Sequence, residues 1–219
     1  MFPTRLFAAL FLCALHTGAV AQQQAININA ELLQAARRGQ EGAVRALLDQ
    51  GASLESRNRL GDTPLNIAAK NGHTRLGLYL VERGANVNQK NLAGVTPLMS
   101  AAYNGDLELV RALLRRKADL APVDRMKKTA LLYAAANGHA QVLGALLEQG
   151  VDVNARYDNE LTALMWAAGF GQDDAVKLLL ARGAERDARD NRGKTALAIA
   201  EEEGRKVTAD LLRAAGAQK

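Results

Sequence analysis

Apolar residues recur along this chain in two alternating patterns. One opens on a threonine, as in "TPLMSAAYNG" from Thr96, runs through an alanine pair and stops at a glycine nine residues after the threonine. Threonine is a helix N-cap, and Pro64 and Pro97 follow it in the first turn, where the missing N–H costs nothing. Glycine suits the left-handed geometry that ends a helix, so Gly72, Gly105, Gly138, Gly171 and Gly204 mark five helix ends. The second pattern carries leucine and valine at helical spacing, as in Leu107, Leu109, Val110, Leu113 and Leu114. A polar, Asn- and Gly-bearing stretch such as "ANVNQKNLAGV" then predicts a tight hairpin tip before the next threonine. One unit is thus a hairpin and two antiparallel helices.

The unit repeats. Thr63, Thr96, Thr129, Thr162 and Thr195 stand 33 residues apart, each opening a related sentence: "TPLNIAAKNGH", "TPLMSAAYNGD", "TALLYAAANGH", "TALMWAAGFGQ" and "TALAIAEEEGR". This pattern resembles the ankyrin repeat, with its 33-residue period and its Thr-Pro-Leu-His-x-Ala signature. The resemblance implies an all-α solenoid of about six helix-turn-helix units with short β-hairpin or loop fingers. It also exposes a departure, because the histidine after the leucine is replaced by Asn66, Met99, Leu132, Met165 and Ala198. The inter-repeat hydrogen bonds that this histidine supports are therefore not expected here. A lone unit cannot bury its apolar face, so the ends are caps: "NAELLQAARRG" lies one period before Thr63, and Glu201 replaces the second alanine near the C-terminus. The expected organisation is a short segment at 22–25 and an array over 26–219: an N-terminal cap at 26–58, repeats at 59–91, 92–124, 125–157 and 158–190, and a C-terminal cap at 191–219.

The first 21 residues read differently. Arg5 precedes the apolar run "LFAALFLCAL", and Ala19-Val20-Ala21 fits a signal-peptidase site, so a Sec-type signal peptide is expected at 1–21 and a periplasmic location after its removal. The run falls short of the ~20 residues that span a bilayer, so membrane insertion is not expected. Cys13 is the sole cysteine and leaves with that segment, which removes disulfides and thiol chemistry. Losing Arg5 takes the formal charge from +5 to +4, a mild basic excess that favours acidic partners over nucleic acid.

Catalytic groups do not converge. His73 and His139 occupy the same slot two repeats apart, roughly 20 Å at ~8 to 10 Å per layer, too far to share a metal or a proton. Ser53, Ser56 and Ser100 have no histidine relay, and no phosphate loop, dinucleotide fingerprint or metal-binding helix motif occurs. No enzyme activity, cofactor or metal is expected.

What remains is a surface. The resemblance implies a concave groove lined by hairpin tips and the exposed end of each first helix, slots that hold Arg59, Leu60, Lys70, Leu92, Tyr103, Arg125, Met126, Lys128, Asp158 and Phe170. Of the six aromatics after residue 21, Tyr103, Tyr157 and Phe170 fall in tip or exposed slots, Tyr133 and Trp166 lie one turn earlier, and Tyr79 alone sits on a second helix. An aromatic-poor chain that sets its rings along one face is expected to bind a protein partner there, as a monomer, through Tyr103, Phe170, Tyr157, Met126, Trp166, Arg125, Lys127 and Lys128. An immunity protein against a toxic enzyme, an accessory factor for another periplasmic enzyme and a structural spacer are the alternative roles. Lys117 and Lys127 displace glycines kept by other repeats, so the loop from 117 to 128 is expected to be the least regular.

The signal-peptide reading predicts an exported protein that begins at Gln22. N-terminal sequencing or intact mass checks it, and a product retaining residues 1–21 would remove the case for export.

Overall fold

The structure, a computed structural model, describes residues 27–218; the signal-peptide reading lies outside them. Twelve helices follow one another in six antiparallel pairs: α1 over 27–37 and α2 Glu41–Asp49, then α3 Pro64–Lys70 and α4 Thr74–Glu82, α5 Pro97–Asn104 and α6 Leu107–Arg115. The array continues with α7 Ala130–Ala136 and α8 Ala140–Leu147, α9 Ala163–Gly169 and α10 Asp173–Ala181, α11 Ala196–Glu202 and α12 Lys206–Ala214. No strand occurs among the described residues; the fingers between pairs are turns.

Each threonine does the work its position implies. The hydroxyl of Thr63, Thr96, Thr129, Thr162 or Thr195 accepts the N–H three residues on, at 3.2 to 3.3 Å, and all five threonines are buried. Replacing one would leave that N–H without its acceptor inside the stack, which typically costs ~1 kcal/mol.

The stack is held by side chains repeating at the same interval. Leu65, Leu98, Leu131, Leu164 and Leu197 form one buried column on the first helices, and Leu80, Leu113, Leu146, Leu179 and Leu212 form another on the second. Alanine pairs at 68–69, 101–102, 134–135 and 167–168 are buried and small, so first helices approach one another closely and pack more extensively than second helices do.

Polar bonds fix the register of the layers. The carbonyls of residues 37, 70, 103, 136 and 169 lie in the last turn of successive first helices, and each accepts a hydrogen bond from the next repeat. His73 reaches Arg37 at 3.1 Å, His139 reaches Tyr103 at 2.9 Å, Gln172 reaches Ala136 at 3.0 Å and Arg205 reaches Gly169 at 3.1 Å. A carbonyl only accepts, so both histidines carry hydrogen on Nε2. Asp106 holds this slot in the third pair and has no N–H to give. There Asn104 donates to the Lys70 carbonyl instead, at 3.2 Å, while Asp106 accepts from the Thr74 hydroxyl at 2.7 Å. Of the residues replacing the signature histidine, Asn66 alone reaches the next repeat in the described structure, donating to the Val95 carbonyl at 3.5 Å as well as to the Gln89 carbonyl of its own repeat at 3.0 Å; the other layers are tied at the opposite end of the helix.

The fingers share one design with one exception. Asn58, Asn91, Asp124 and Asp190 each accept two backbone N–H groups, two and four residues ahead, which folds the tip. Lys127 stands at the left-handed position of such a finger with φ 59°, and Lys117 ends α6 with φ 58°. The finger at 124–128 nevertheless keeps the pattern of its neighbours, contrary to the expectation from its missing glycines, because Asp124 supplies the same anchor. The irregular finger is the next one. Tyr157 replaces the Asn or Asp, the two anchoring bonds vanish, and a 3-10 turn at Asp158–Glu160 puts both Asn159 (φ 59°) and Glu160 (φ 61°) in the left-handed region. Tip-to-tip backbone bonds join Leu92 to Leu60, Arg125 to Ala93 and Asn191 to Asn159, and the corresponding bond from Asp158 to Met126 is missing among the described residues.

Lys117→Gly and Lys127→Gly should each raise stability by up to about 1 kcal/mol, since a left-handed side-chain-bearing residue costs ~1 to 2 kcal/mol and glycine's unfolded-state freedom offsets part of the relief. Urea unfolding measures it; a clear loss would mean the lysine side chains stabilise these turns.

Candidate binding surface

The aromatic residues on one side of the array meet in a single line. Tyr103, on the last turn of α5, sets its ring edge-on to Tyr133 of α7 at 5.6 Å and 81°. The Tyr133 hydroxyl donates to the buried carboxylate of Asp124 at 2.5 Å, and burial together with that carboxylate raises its pKa well above the usual phenol value. Asp124 therefore has two tasks, since its other oxygen anchors the finger.

Lys128 continues the line. Its ammonium lies 5.6 Å from the ring centre of Tyr133 and 4.8 Å from that of Trp166, a cation held between two rings of adjacent repeats. Trp166 stacks on Phe170 at 5.9 Å and 6°, and Phe170 caps α9 with half its surface exposed. Tyr103, Tyr133, Lys128, Trp166 and Phe170 thus span three repeats without a break. The indole N–H of Trp166 is buried with no acceptor among the described residues, where packing rather than hydrogen bonding fixes its ring.

Beside this line is an apolar pocket of about 230 Å³ walled by Leu161, Met165, Trp166, Phe170 and Ile199, with Arg192, Glu203 and Arg205 at its rim. Gly169 makes room for it: a Cβ there would sit 3.1 Å from the Ile199 side chain.

Three copies of the ankyrin-repeats family model match residues 10–91, 85–157 and 154–219, almost the whole chain. The chain belongs to the ankyrin-repeat family. Its fold is similar to that of the human ASB11 ankyrin repeat domain, at a TM-score of 0.78 and 28% identity over 85% of this chain and 84% of that one. No curated protein matches it in sequence.

Within this ankyrin array the residues singled out from sequence separate into groups. Tyr103, Phe170, Trp166 and Lys128 come together, and Met126 and Arg125 stand exposed on the neighbouring finger tip with Lys127. Tyr157 does not join them at a tip. It occupies the anchor position of its finger, half-buried against the core, and burial raises its phenol pKa. Lys128 is a wedge between rings, not a freely exposed cation. Among the described residues no ion pair joins the acidic finger at Asp158–Glu160 to the basic finger at 125–128: Glu160 meets Arg156 at 3.6 Å. Arg116 approaches the Glu82 carbonyl at 3.5 Å, and Tyr79 lies buried under Arg45.

The pocket residues Leu161, Ile199, Arg192 and Arg205 were not recognisable as a group, because they come from two repeats; Gly169, where other repeats carry lysine, tyrosine, alanine or glutamate, was the available signal.

Lys128→Met keeps the aliphatic stem and removes the charge, so it should cost ~0.5 to 2 kcal/mol and shift the emission of Trp166, the sole tryptophan. Fluorescence and thermal melting check it; an unchanged spectrum would mean that the ammonium does not sit on the indole.

Proposed function

We propose that this chain is a non-catalytic binding module of the periplasm that holds a protein partner in its concave groove and acts as a monomer. Ankyrin repeats generally serve protein–protein interaction, and the observation supporting that role here is the aromatic line, whose two ends, Tyr103 and Phe170, keep 54% and 49% of their surface exposed. Rigid rings half-embedded in a scaffold lose little conformational freedom on docking and cover much apolar area, which is why they dominate interface energetics. The middle of the line, through Tyr133, Lys128 and Trp166, would hold the two ends in place.

The reading of the first 21 residues as a signal peptide supports the periplasmic assignment. Among the described residues no helix is long and apolar enough to cross a membrane, and no group of three or more His, Cys, Asp or Glu side chains is placed to hold a metal ion.

Truncating both ends, Tyr103→Ala with Phe170→Ala, should leave the melting temperature nearly unchanged and weaken partner capture from periplasmic extract. Each hot-spot ring contributes ~2 kcal/mol or more, roughly thirtyfold in affinity. Unchanged capture would move the interface off the groove, and an early melt would assign the rings to the core.

A further inference from the structure

The groove has a chemical bias that narrows what it can hold. Its first three fingers and the adjoining helix ends carry Arg37, Arg57, Arg59, Lys70, Arg125 and Lys127, all exposed and none in an ion pair among the described residues. The carboxylates of the finger tips in the same region, Asp62 and Asp124, are buried and already engaged. Asp62 accepts from Asn91 at 2.7 Å and from Asn58 at 3.1 Å; Asp124 accepts from Met126, Lys128 and Tyr133. This part of the groove therefore presents cations to solvent without an exposed anion on its tips. Four of the cations, with Leu60, surround a hollow of about 500 Å³ where the first two layers meet.

Apolar side chains are interleaved with this charge. Leu60, Leu92 and Met126 top the three fingers at 58%, 63% and 67% exposure, and Tyr103 stands behind them. Seven large apolar side chains are exposed in the described structure; six of them lie on fingers or first-helix ends, and Val207 alone does not. A nucleic acid would satisfy the cations, but its bases stack best on aromatic rings, and the tips here are aliphatic, with Tyr103 the one ring behind them. Carboxylates and aliphatic side chains on one peptide segment match both features.

Resting on the groove reading above, we propose that the occupant is an acidic segment of a partner protein with large apolar side chains among its Asp and Glu residues. It lies across the fingers tipped by Leu60, Leu92 and Met126 and ends at the Trp166–Phe170 pocket. Direction follows from charge, because the fourth finger turns acidic with Asp158 and Glu160, while at the pocket rim Arg192 is already paired with Asp190, Arg205 is bonded to the Gly169 carbonyl, and Glu203 adds a carboxylate. The segment's acidic residues face the first three fingers, and its neutral apolar end reaches the pocket.

The test is selection of random 12-residue peptides displayed on phage against the full-length protein, followed by affinity measurement from Trp166 emission. Selected peptides should be rich in Asp and Glu with Leu, Phe or Met among them. They should weaken at least tenfold when their acidic residues become Gln or their apolar residues become Ser, and bind more weakly at higher salt. Arg59→Glu with Arg125→Glu should weaken them at least tenfold. The same charge change on the second helices, Arg75→Glu with Arg111→Glu, should not. The proposal is overturned if selection yields neutral or basic peptides or none, if both charge reversals weaken binding equally, or if a 20-nucleotide single-stranded DNA binds as tightly as the best peptide and is lost with the same variant. The groove reading fails separately, when Tyr103→Ala with Phe170→Ala leaves partner capture unchanged.

Discussion

The register of this array depends on hydrogen bonds that each layer sends to a carbonyl at the end of the first helix before it, from the residue after the first-helix glycine in four layers and from Asn104 in the third. Hydrophobic columns alone would let one layer slide on the next, because a leucine contact tolerates an ångström of displacement at little cost. A carbonyl with an aligned donor does not tolerate it, since a hydrogen bond of this kind contributes a net ~0.5 to 1.5 kcal/mol that a shift in register forfeits. The donor can be imidazole, amide or guanidinium, and where Asp106 cannot donate, Asn104 takes over. The acceptor's place is constant while the donor's chemistry varies. That constancy is what a strict 33-residue interval imposes on a stack of short helices.

The same bond positions the binding surface. The carbonyl that His139 holds belongs to Tyr103, so the backbone beneath the most exposed ring of the aromatic line is fixed by the next repeat. The imidazole lies so close to Gly105, φ 72°, that a Cβ there would come within 2.5 Å of it. Glycine at this helix end is required by neighbour packing as well as by its left-handed backbone. A histidine with no catalytic partner thus has a structural task that ends at a binding residue.

The period, the threonine caps, the helix pairs and the terminating glycines were legible in the sequence, because each is a local rule repeated five times. The exposed slots of Tyr103, Phe170 and Met126 followed from the same register. Lys128 was not legible as a wedge between rings: that depends on Tyr133 in its own repeat and Trp166 in the next, two residues that a one-repeat reading treats separately. The irregular finger was misplaced for a related reason. Missing glycines point to Lys127, yet the side chain of Asp124 keeps that turn regular; the decisive change is the loss of an anchor at Tyr157, a position whose role shows only when its hydrogen bonds are drawn.

That substituted anchor also divides the groove. A tyrosine at 157 buries a ring that an aspartate could not, but it removes two hydrogen bonds from the tip, and the tip-to-tip bond between the third and fourth fingers is missing at the same place. Cationic, apolar-tipped fingers lie on one side of this break and an acidic finger with the Trp166–Phe170 pocket on the other. Lys128 and the aromatic line cross it, so side-chain stacking joins the two halves where backbone pairing does not. The part of the surface with the strongest claim to binding is therefore also the bridge between the cationic fingers and the Trp166–Phe170 pocket, and a segment lying along the groove would contact both through the same rings.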